Sequence, residues 1–72
     1  MKKFIFTFPE VPQLINHYQV VYADNLFQAQ SSVFERFGVV GVQIPSEKAA
    51  EFESLTNKRN LNPIRCKGVD KQ

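Results

Sequence analysis

The sequence predicts a small α+β domain: a three- or four-stranded sheet with one main amphipathic helix packed on one face. The expected order is β-β-α-β, followed by a weaker helix and a short edge strand. Three observations carry this reading. "KKFIFTF" and "HYQVVYA" alternate with the period of two that marks strands. "NLFQAQSSVFERFG" repeats its apolar residues with helical spacing and stops at a glycine. A hydrophobic content of 43% with seven Phe and two Tyr is a globular composition, away from the polar, highly charged regime of disordered chains.

In the first segment Phe4, Phe6 and Phe8 alternate with Lys3, Ile5 and Thr7, giving a strand near 2–8 with one aromatic face. Pro9 and Pro12 end it, and "PEVPQLIN" reads as an irregular loop, since proline removes ladder donors. The second strand, 17–23, sets Tyr18, Val20 and Tyr22 on one side and His17, Gln19, Val21 and Ala23 on the other. Asp24 or Asn25 is a suitable N-cap for a helix over 25–37. Its apolar arc holds Leu26, Ala29, Val33, Phe34 and Phe37, widened by Phe27, and Gly38 supplies the left-handed stop.

"VVGVQI", 39–44, is the third strand, with Gly41 marking a bulge or a close approach and Pro45 closing it. The helix between strands two and three is long enough for a right-handed parallel crossover, and the sequence leaves an antiparallel return open as well. Ser46 is a candidate cap for the polar second helix within 46–58, on which Ala49, Ala50, Phe52 and Leu55 form a weak apolar side. "NPIRCK" suits a short edge strand opened by Pro63 and guarded by Arg65 and Lys67. The expected core is Phe4, Phe6, Leu26, Val33, Phe37, Val42 and Ile44.

A chain of 72 residues buries only about 60% of the surface its unfolded form exposes, so residues 1–67 are read as one domain and 68–72 as a loose tail. Neither usual staple is available: a single cysteine, Cys66, forms no internal disulfide, and one His with one Cys falls short of a structural zinc site. The opening "MKKFIFTFPEVP" looks like a signal peptide at first, but Pro9 and Glu10 cut its apolar run short of the roughly 7–15 residues required. The expected setting is cytoplasmic, with no membrane partner.

No reaction is legible. The glycines at 38, 41 and 68 follow no phosphate-loop spacing, so no cofactor is implied. His17 and Cys66 could pair as base and nucleophile only if the fold joined them; a strand-start His and a packed Cys are the simpler reading. The acids lie on predicted helix faces and not across a cleft.

Net charge is +2, mild for a nucleic-acid binder, although Lys58, Arg59, Arg65 and Lys67 gather late in the chain. These four with Tyr18 and Tyr22 form the candidate binding surface, because single-strand binders stack bases on sheet aromatics beside cations, to which Lys2 and Lys3 would add. A sheet with one good helix on it also leaves a second face uncovered. Binding another protein, or itself as a homodimer, therefore asks least of the sequence.

The order of segments resembles that of small accessory proteins of tailed bacteriophages and prophages. "HYQVVYADNLFQAQSSVFERFG", a strand ending in Pro, "SEKAAEF" and "LNPI" follow the same plan over residues 17–64. The sharper matches are Ala23, Asp24, Ala29, Phe34, Glu35, Arg36, Phe37 and Gly38, while "VVGVQ" at 39–43 stands where aromatics are expected. The resemblance implies a protein without catalysis, in a bacterial host, that binds and blocks or modulates a host protein or defence complex. The alternative is a single-stranded nucleic-acid module using the aromatic and basic sheet face.

Overall fold

A computed structural model describes residues 1–66; the expected tail, 68–72, and Lys67 lie outside them. The α+β class holds. Five strands form one mixed sheet, and two helices flank it. In chain order the elements are β1 (Lys2–Thr7), a 3-10 turn (Pro12–Leu14), β2 (His17–Ala23), α1 (Leu26–Phe37) and β3 (Val42–Ile44). A second 3-10 turn (Ser46–Lys48) leads into α2 (Ala49–Leu55), followed by β4 (Arg59–Asn60) and β5 (Ile64–Arg65).

β1 pairs antiparallel with β2 from Lys2↔Ala23 to Thr7↔Tyr18, and antiparallel with β3 through Ile5↔Ile44. β4 and β5 both run parallel to β2 on its other side. β2 and β3 are therefore parallel to each other with β1 between them, which is the crossover that the length of α1 permits.

The two crossovers travel in opposite directions across the sheet, β2 to β3 one way and β3 to β4 the other. If both are right-handed, as such connections almost always are, α1 and α2 must sit on opposite faces. The packing agrees. Phe4, Phe6, Phe8, Val21 and Ala23 meet Ala29 and Val33 of α1, with Phe37 packed against them. Ile5, Tyr18 and Val20 meet Ala49 and Phe52 of α2, with Ile44 beside them. The alternation read along β1 and β2 is thus a sorting of side chains into two cores.

Helix α1 begins at Asn25, the second of the two candidates, whose Oδ1 accepts the Gln28 N–H at 2.8 Å while Gln28 Oε1 accepts the Asp24 N–H at 2.7 Å. This is a capping box shifted back by one residue on the return bond. Gly38, at φ 73°, donates its N–H to the Phe34 carbonyl at 2.7 Å and ends the helix as expected.

Four expectations are corrected. Leu26, in the first turn of α1, and Val42, on the outer strand, are exposed and not core, because neither reaches the layer between helix and sheet. Ser46 makes no cap bond: the chain passes from Pro45 through a 3-10 turn into α2. The sheet has five strands and not three or four, because Arg59–Asn60, outside the expected edge segment, also pairs with β2 as β4, while Ile64–Arg65 after Pro63 forms β5. Finally, the second sheet face is not left open, since Phe52 and Ala49 of α2 cover it.

Gly41 is a close approach and not a bulge. A Cβ there would lie 3.0 Å from Phe8 Cε1, 3.1 Å from Phe6 Cβ and 3.2 Å from the Thr7 carbonyl oxygen. Two of these neighbours belong to β1 itself and have little freedom to retreat. Gly41→Ala is expected to destabilise the protein by about 1–3 kcal/mol, read as a lowered urea midpoint at unchanged slope.

Candidate interaction surfaces

The residues singled out from sequence fall into two groups along β2. Tyr22 and Arg65 pair across the β2–β5 ladder, and the guanidinium carbon lies 4.5 Å from the Tyr22 ring centroid. Such a stack satisfies both partners and engages the cation. At the other end of β2, Arg59 stands exposed opposite His17, and Lys58 donates from Nζ to the Ile15 carbonyl. Lys67 lies outside the described residues.

Tyr18 does not join this surface. It is 6% exposed, with the Phe52 ring edge-on at 5.3 Å between centroids. A base cannot stack on a ring that α2 already covers. The sequence left the Tyr18 side of the sheet without a partner because α2 carries only four apolar residues, two of them alanines. Those few suffice, because the face they cover is only Ile5, Tyr18 and Val20 wide.

An ion pair fastens the same helix. Lys3 Nζ lies 2.8 Å from Glu53 Oε1, joining β1 to α2. The hydrogen bond to Glu53 raises the Lys3 pKa above its ordinary value of 10.5, against a small opposing cost of burial. Both side chains are partly open to solvent, so the pair contributes about 0–1 kcal/mol.

The last strands depend on a buried amide. Arg59 donates its N–H to the Asn16 carbonyl, Leu61 to Tyr18 and Cys66 to Tyr22, but Pro63 has no N–H to give. Gln19, fully buried, fills the gap by donating from Nε2 to the Asn62 carbonyl at 2.6 Å. Arg36 of α1 donates to the same oxygen at 3.3 Å. A polar residue inside a strand of apolar ones is thus the rung that holds the interrupted edge.

Groups with possible chemistry are kept apart. Cys66 is tied to the Tyr22 end of β2 and His17 opens the strand, five residues or about 16 Å away. Cys66 Sγ instead lies 2.9 Å from Ser32 Oγ of α1, half-buried against the core. Among the described residues no three His, Cys, Asp or Glu side chains gather as a metal site would need. No helix among them is long and apolar enough to cross a membrane.

Part of the apolar arc expected to face the sheet is open. Phe27 is 79% exposed and Phe34 54% exposed, seven residues and nearly two full turns apart on α1, so they share one outward stripe. Phe34 also lines a groove of about 480 Å³ with Phe8, Val39, Val40 and Val42. Val40 and Val42 are 69% and 53% exposed. The apolar arc of α1 was wide enough to include these residues. What sequence cannot provide is the rotation of the helix, which turns Ala29 and Val33 inward and leaves the two Phe outside.

Comparison with protein-family models, with curated proteins and with solved structures finds no match to this chain.

Two measurements check this arrangement. Phe52→Ala should cost about 2 kcal/mol and raise acrylamide quenching of tyrosine fluorescence, because Tyr18 loses its cover. Lys3 has a raised pKa in the folded state, so its contribution is complete below about pH 10 and is lost as pH rises through the folded value. Glu53→Gln should abolish that alkaline loss, seen as converging melting curves of wild type and variant above the Lys3 pKa.

Proposed function

We propose that this chain is a non-catalytic accessory protein, of the kind tailed phages and prophages encode, that binds a host protein or defence complex in the bacterial cytoplasm and modulates it. The observation that carries this reading is the exposed aromatic stripe of α1. Two Phe side chains on a folded surface forgo the burial that a core position would give them, about 1.5–3 kcal/mol each. Contiguous exposed apolar patches mark docking sites, and aromatic side chains are enriched in the centres of interfaces. The order of segments over residues 17–64 supplies the setting.

The nucleic-acid alternative has less to stand on. It retains Tyr22 and the basic edge, but Tyr18 lies under Phe52, and Arg65 is already engaged on Tyr22.

The test is capture from a bacterial lysate, identification of the stoichiometric partner and reconstitution from the two purified proteins. Phe27→Ser should weaken that binary complex by about tenfold or more, while the free protein melts no lower than wild type. Micromolar, salt-sensitive binding to single-stranded DNA, with no protein captured, would replace this reading with the alternative.

A further inference from the structure

We propose that the β3 edge pairs with the β3 edge of a second copy of this chain, joining two sheets into one across a two-fold axis. The inference deepens the protein-binding reading by naming an occupant for part of its apolar surface. It starts from a difference between the two edges of the sheet.

Natural sheets guard their edges with charge, proline or a break in the ladder, because unpaired N–H and C=O groups invite another strand. The β4/β5 edge is guarded in this way: Arg59 and Arg65 lie on it and Pro63 interrupts it. The β3 edge is not. Residues 37–46, "FGVVGVQIPS", contain no charged side chain, and β3 pairs with β1 alone. Val40 and Val42 stand exposed there, beside the groove that Phe34 lines from above.

A second copy fits this edge better than an isolated peptide strand. Antiparallel pairing of β3 with its symmetry mate places the two-fold axis normal to the sheet, which keeps both α1 helices on the same face. One contact then satisfies the open backbone groups and sets the Phe34 flanks of the two copies across the seam from each other. A lone strand would satisfy the backbone and leave Phe34 uncovered.

Charge does not oppose the same partner. Each copy is net positive, but the basic edge lies three strand spacings from β3, about 14 Å, beyond a Debye length of about 8 Å at physiological salt. The β3 residues themselves carry no charge, and Glu10 is the one charged residue lining the groove beside them. Because only one edge is open, assembly closes at two copies and cannot extend into a fibre. Three strand residues and a few side chains make a small interface, so micromolar association is expected.

Sedimentation of the purified protein alone, from about 1 μM to about 500 μM, should show a monomer passing to a dimer and no larger species. The amides within Val42–Ile44 that point away from β1 should gain hydrogen-exchange protection over the same range, while those of β4 should not. Val42→Lys sets like charges against each other and should weaken the dimer by about tenfold or more without lowering the melting temperature of the monomer. A monomer at the highest concentration, or a dimer unaffected by both Val42→Lys and Val40→Lys, would overturn the proposal. Binding of another protein through Phe27 is read in a separate experiment, so loss of the dimer leaves that reading standing.

Discussion

Everything in this fold is hung on the β1–β2 ladder. Six paired positions align two alternating sequences so that Phe4 and Phe6 stand beside Val21 and Ala23, and Ile5 stands beside Val20 on the reverse face. A slip of one residue would exchange the two faces and bring lysine and threonine under α1. The register thus decides which helix has something to cover. β1 is central, flanked by β2 and β3, and Phe6 and Ile5 are among the least exposed residues on opposite sides of it.

The outer elements answer to that ladder. Gly41 lets the chain pass against Phe6 and Phe8 so that β3 can pair with β1, and Phe37 packs at 5.0 Å from Phe8 to close the end of the first core. On the other side, Gln19 reaches from β2 to hold the break between β4 and β5. The fold therefore places its few polar and glycine exceptions where strands arrive, and the interior of each core remains apolar apart from Thr7 and Gln19.

Much of this was legible in the sequence for physical reasons. Period-two alternation encodes the two faces of β1 and β2, the Asn25 and Gly38 signals bracket α1, and Pro45 stops β3. What was not legible depends on distance in the chain. The rotation that exposes Phe27 and Phe34 follows from how α1 meets the sheet. The cover over Tyr18 follows from α2 crossing back over the reverse face. The pairing of Arg59–Asn60 with β2 rests on two residues with no strand pattern at all. The candidate surface was affected accordingly: Tyr22 and Arg65 do meet, Tyr18 belongs to a core, and the exposed Phe27 and Phe34 stood on the arc expected to face the sheet.

The reverse face of the sheet also sets a timetable. The strands that carry Ile5, Tyr18 and Val20 are complete once residue 23 has been made, and α1 can cover the first face by residue 37, but Phe52 is the ring that shields Tyr18. Synthesis adds about 5–20 residues per second, so the nascent chain presents an uncovered tyrosine and aliphatic surface for about a second or more while still tethered to the ribosome. A chain cut short before α2 would present that surface permanently, which makes truncated products of this sequence natural substrates for chaperones and proteases.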